Sequence, residues 1–203
     1  MKLSHGASIF LVSASVLCST AVAQSALDSK SIVDALQQKK KSLTRSLGAQ
    51  PSAGMSGRDK QFVNQMRGKT RGIRFEERKQ LATIVKTYNL ASVDLEIYFD
   101  YDSDMISAKA RPDLVQLGTA LRSDALKGAV FLVSGHTDAA GGGDYNLDLS
   151  DRRAQNVASF LTHTFGIESS RLIAVGYGEE QLKNPGDPTA AENRRVTIVN
   201  LSE

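Results

Sequence analysis

Three residues between Gly135 and Ala154 have the types and spacing to hold a ligand that carries both charges. The stretch reads GHTDAAGGGDYNLDLSDRRA. Asp138 follows a strand expected to end near Gly135, and Asn146, Leu149 and Arg153 recur three to four residues apart on a helix predicted from about Asp144. Residues at that spacing share a helix face, so a polar clamp would line one side of a cleft with Asp138 on its rim. A carboxylate accepts hydrogen bonds from an ammonium, and a guanidinium grips a carboxylate with two parallel bonds. Such charge-assisted bonds are each worth roughly 1.5–3 kcal/mol. The pair therefore reads an amino-acid headgroup and binds it without running a reaction. The competing reading is a direct Asp138–Arg153 salt bridge that pins the loop to the helix.

Other chemistries fit less well. His136 and His163 are too few for a usual zinc site, and no serine of this region sits in a nucleophile motif. His136 is expected as a satisfied structural histidine whose backbone lines the pocket. Asp100 and Asp102 would point to opposite faces of a continuing strand and would make a poor glycosidase pair; Asp102 and Asp104 suit a turn instead. Gly141–Gly143 lacks the spacing of a dinucleotide or phosphate loop, so no cofactor is implied. Arg194 and Arg195 are expected to open the last strand, one buttressing the pocket acids and the other solvated. Tyr177 is expected to pack.

The elements that must position these residues come from periodicity. Val93, Leu95, Ile97 and Phe99 alternate with polar residues, which predicts a strand over Ser92–Phe99. Short apolar runs predict strands at Val130–Val133, Leu172–Val175 and Val196–Leu201. Leu114, Leu117 and Leu121 stripe a helix over Ala108–Arg122, and Leu149, Val157, Phe160 and Leu161 stripe one over Asp144–Phe165. The order β-α-β-α-β-β predicts an α/β (α+β sandwich) domain over 92–203, a mixed sheet with two helices on one face.

Ahead of it, residues 24–91 read as a basic helical and linker region, partly disordered. Ile32, Val33 and Leu36 mark a short helix, Gly48–Gly57 a linker, and Leu81, Ile84, Val85 and Tyr88 a helix around Phe75–Tyr88. Lys39–Lys41, Arg45, Arg58, Lys60, Arg67, Lys69, Arg71 and Arg74 give this half its charge, which suits a solvated linker, an envelope protein partner or an anionic surface. The formal net charge of the whole chain is only +3 and does not call for nucleic acid. Lys2, the apolar Ile9–Leu17 and Ala21–Val22–Ala23 describe a signal peptide over 1–23 with cleavage before Gln24. Cys18 raises lipidation as a competing reading, but Leu17 stands where a small residue belongs. No later stretch approaches the roughly 20 apolar residues of a membrane span.

Taken in order, FDYDSDMI at 99–106, GHTDAAG at 135–141, YNLDLSDRRA at 145–154, VGYGEEQ at 175–181 and ENRRVTIVNL at 192–201 resemble the OmpA-like C-terminal domain family of outer-membrane protein A tails, peptidoglycan-associated lipoproteins and motility stators. The resemblance spans about Ser92–Glu203. It implies non-covalent binding of peptidoglycan through the diaminopimelate of its stem peptide, in the periplasm, anchoring the outer membrane or an envelope complex to the wall. Carried over by position, the implied ligand residues are Asp138 and Thr137 of the GHTD motif, Asn146 of the YN pair, Leu149 and Arg153 of the following helix, and Asp100 of the FD pair. No metal or catalytic residue is implied; a wall-modifying hydrolase using the same cleft is the alternative.

Overall fold

The computed structural model describes residues 28–37, 54–95, 97, 99 and 103–202. The predicted signal peptide, Cys18, Lys39–Lys41, Arg45, most of the 48–57 linker, Asp100 and Asp102 lie outside the described residues.

Three helices come first: α1 (Ser29–Gln37), α2 (Gly57–Met66) and α3 (Phe75–Thr87). Then follow β1 (Ser92–Leu95), α4 (Arg111–Arg122), β2 (Phe131–Gly135), α5 (Gly143–Phe165), β3 (Leu172–Gly176) and β4 (Val196–Asn200). The strands form one mixed sheet in the order β1-β4-β2-β3. β2 and β3 are parallel, joined through α5, while β4 runs antiparallel to both β1 and β2. This is the α/β arrangement predicted from the periodicity, with α4 and α5 on one face.

The strands show why both faces had to be covered. Phe131 and Val133 of β2, Leu172 and Ala174 of β3, and Val196 and Ile198 of β4 point into a core shared with α1, α4 and α5. Their alternates Leu132, Ile173, Val175 and Val199 enter a second core with Met55, Val63, Met66, Leu81 and Ile84 from the α2–α3 side. Every residue of β2 and β3 is buried. A parallel pair that is apolar on both faces exposes a large greasy surface unless something packs on each side, and α2 and α3 supply the second layer. Ile32 and Leu36 of α1, both fully buried, complete the first core beside α4.

Boundaries moved for local reasons. The strand predicted to reach Phe99 ends at Leu95, because its partner β4 begins at Val196 opposite Leu95 and the Ile97 N–H folds back to the Leu95 carbonyl. Phe99 makes only an isolated bridge with Ile106. α4 starts at Arg111 instead of Ala108; Pro112 sits in its first turn, where a missing N–H costs nothing. α2 is an element the periodicity did not predict. Among the described residues no helix is long and apolar enough to cross a membrane.

Candidate functional site

The loop that follows β2 is held by backbone bonds from two other segments. His136 N–H donates to the Arg195 carbonyl (3.0 Å), Thr137 N–H to Gly178 (2.9 Å) and Ala139 N–H to Pro188 (2.9 Å). Glycine is required where the loop, β3 and α5 converge. Gly178 has φ +52°, and a Cβ there would lie 3.0 Å from the Leu147 nitrogen, so only glycine combines this left-handed backbone with that approach.

The first turn of α5 presents Asn146 to this loop. Its side-chain nitrogen donates to the Ala140 carbonyl (3.1 Å), the Asp138 carbonyl (3.3 Å) and Glu179 Oε2 (2.6 Å), and the residue is buried. All three partners are acceptors, which fixes the amide orientation. Asn146 therefore braces the site. The Asp138 carboxylate is not paired with Arg153. Its Oδ2 accepts from Arg194 Nη1 at 2.5 Å and its Oδ1 from the Ala140 N–H at 3.3 Å, with 14% of the side chain exposed.

Two helical turns further on, Arg153 is 6% exposed. Its Nε donates to the Ser103 carbonyl (3.1 Å), and its guanidinium carbon lies 4.7 Å from the centre of the Phe99 ring. Burial pushes its pKa down, and among its neighbours Asp138 is the strongest charge working the other way. Asp138 and Arg153 are thus close enough to feel one another, yet among the described residues no carboxylate forms an ion pair with Arg153. Neighbouring residues lock the segment in front of Arg153. Arg152 bridges Asp104 (3.1 Å) and Asp148, and Asn156 donates to the Asp104 carbonyl (2.8 Å).

The other candidates take distinct places. Thr137 is 2% exposed with its hydroxyl buried and unpartnered, and Leu149 is 6% exposed on the face of α5 that Asn146 and Arg153 share. Asp100 lies outside the described residues. His136 is structural, but not fully satisfied: it stacks on Tyr177 at 5.7 Å and its Nδ1 has no partner. Burial, reinforced by Arg195 and opposed by Asp94, drives its pKa down to about 3.

The expectation for the two arginines needs correction. Arg194 does buttress Asp138, but it is the more exposed one, at 47%. Arg195, with 10% of its side chain exposed, is turned inward to the Gln181 carbonyl (3.2 Å) and Asp94 (3.6 Å) instead of being solvated. Strand alternation failed because both residues precede β4. They lie in the turn that follows a short 3₁₀ segment, Ala191–Asn193. Two participants were missed, Glu179 and the Ser103 carbonyl. Glu179 stood next to a glycine in the VGYGEEQ run, the one available hint that this backbone would bring it against α5; a backbone carbonyl such as that of Ser103 leaves no trace in residue types.

Residues 98–195 match the OmpA family. Outer membrane porin F of Pseudomonas aeruginosa is 34% identical over 104 residues, 51% of this chain and 29% of the porin. The peptidoglycan-associated lipoprotein of Legionella pneumophila is 32% identical over 117 residues, 56% of this chain and 65% of the lipoprotein. The crystal structure of the peptidoglycan-associated lipoprotein from Burkholderia pseudomallei is 30% identical, covers 51% of this chain and 87% of that one, and superposes with a TM-score of 0.45. The chain thus spans less than two thirds of the length of either of the first two relatives. It carries an OmpA family domain across residues 98–195.

Proposed function

We propose that this domain binds peptidoglycan without covalent chemistry, through the diaminopimelate of the stem peptide, and so anchors the outer membrane or an envelope complex to the wall from the periplasm. Asp138 receives the ammonium group and Arg153 the carboxylate, with Asn146 and the Thr137 backbone holding the loop in place. Leu149 and Asp100 complete the proposed contact set.

One observation carries the reading: two opposite charges act on each other without closing a direct pair, because Arg194 engages Asp138 and the Ser103 carbonyl orients Arg153. A carboxylate has about four lone-pair sites, so Asp138 retains capacity for an ammonium beside Arg194. Arg153 is pre-set by Phe99 and Ser103, which lowers the ordering cost of gripping a carboxylate. The OmpA family match and the names of the peptidoglycan-associated relatives agree with this ligand class.

The test is co-sedimentation with purified sacculi. Asp138→Asn and Arg153→Gln each remove a charge while keeping a polar side chain, and each is expected to cut the bound fraction at least about tenfold, the effect of losing one charge-assisted contact, while far-UV circular dichroism stays unchanged. Free meso-diaminopimelate should release the parent protein. Sedimentation of both variants at the parent level would refute the assignment.

A further inference from the structure

α3 carries a second stripe beside the one that enters the core. Phe75, Arg78, Lys79 and Ala82 recur at helical spacing. Together with Tyr177, Glu180 and Gln181, from the segment after β3, they line a cavity of about 310 Å³. Arg78 is only 7% exposed, and its Nε and Nη1 are buried with no hydrogen-bond partner. Nη2 alone is engaged, with the Ile73 carbonyl at 3.4 Å and Asp151 at 3.8 Å. Burying guanidinium donors without acceptors is costly, and here the cost falls in the wall of a cavity of small-molecule size. Lys79 adds an exposed cation, and the Phe75 ring is 60% exposed at the rim. Glu180 and Gln181 add acceptors from the β3 side.

We propose that this cavity binds the carboxylate end of a short peptide with an apolar last residue. On binding, the Arg78 guanidinium turns toward the cavity and pairs with the carboxylate together with Lys79, the apolar side chain lies against Phe75 and Ala82, and the peptide N–H reaches Glu180 or Gln181. Its cationic and apolar wall comes from α3, outside the matched family segment, while Tyr177, Glu180 and Gln181 lie within that segment; none of these residues belongs to the Asp138–Arg153 assignment.

The experiment titrates the full chain with N-acetyl-leucine, using N-acetyl-leucinamide as the uncharged control, and follows backbone amide shifts. Saturable movement is expected at residues 75–82 and 177–181, with the amide control about tenfold weaker or worse. Lys79→Ala, at an exposed position that leaves the fold alone, should weaken binding several-fold, and Arg78→Lys at least tenfold. Asp138→Asn should bind N-acetyl-leucine like the parent. Equal binding of the amide, shifts centred on Asp138 and Asn146, loss of binding in Asp138→Asn, or no saturable shift would each overturn the proposal.

Discussion

Replacing Asn146 with alanine should loosen the whole candidate site. The side-chain nitrogen has two hydrogens, and its two shorter bonds go to the Glu179 carboxylate (2.6 Å) and the Ala140 carbonyl (3.1 Å). A neutral hydrogen bond contributes roughly 0.5–1.5 kcal/mol and one to a charged group roughly 1.5–3 kcal/mol, so the loss amounts to about 3 kcal/mol. The 3.3 Å contact to the Asp138 carbonyl adds little by itself, but it ties the loop that carries the proposed ammonium acceptor. For a domain of this size such a loss lowers the melting temperature by about 6–12 °C. Asn146→Asp, nearly the same shape, should be worse, because it sets a second carboxylate against Glu179 and two carbonyls. Urea unfolding measures the effect directly: the midpoint should fall while the slope with denaturant stays constant. An Asn146→Ala protein within about 0.5 kcal/mol of the parent, the range of a featureless surface change, would show that the network does not brace the loop.

Two further outcomes follow from the same geometry. Gly176→Ala should destabilise by about 1–3 kcal/mol or more through overpacking, since a Cβ there would collide with the Asp151 nitrogen and Ser150 Oγ; thermal melts as stable as the parent would contradict that close approach of α5 to β3. His136 has its folded pKa lowered from 6.5 to about 3, so below pH 6.5 the unfolded chain takes up a proton that the folded one refuses, and stability must fall as pH drops. Between pH 7 and pH 5 the loss should be about 2 kcal/mol in urea unfolding, and His136→Gln should flatten that slope; an unchanged slope in the variant would assign the dependence to other groups.

Much of the site was legible because its residues sit in short, regular segments. Asn146, Leu149 and Arg153 share a face of α5 since helical period alone dictates it, and the end of β2 at Gly135 placed Asp138 at the mouth of a loop. Of the partners of those residues, an arginine from the 194–195 pair was expected without saying which, and Glu179 was not legible. Arg194 reaches Asp138 from 56 residues away and Glu179 reaches Asn146 from 33, and both come from turns that have no period to read.

The order of strands and helices from β1 to β4, the buried character of β2 and β3, and the acid and guanidinium as candidate ligands were determined by residue type and spacing, because local backbone preference and the hydrophobic pattern act between near neighbours. Which arginine meets Asp138, that Arg195 turns inward, and that α2 and α3 close the second face of the sheet beside a cavity walled by Arg78 were decided only by tertiary structure. Those contacts depend on how distant segments share limited space and pair their buried polar groups, and neither constraint exists until the sheet is assembled.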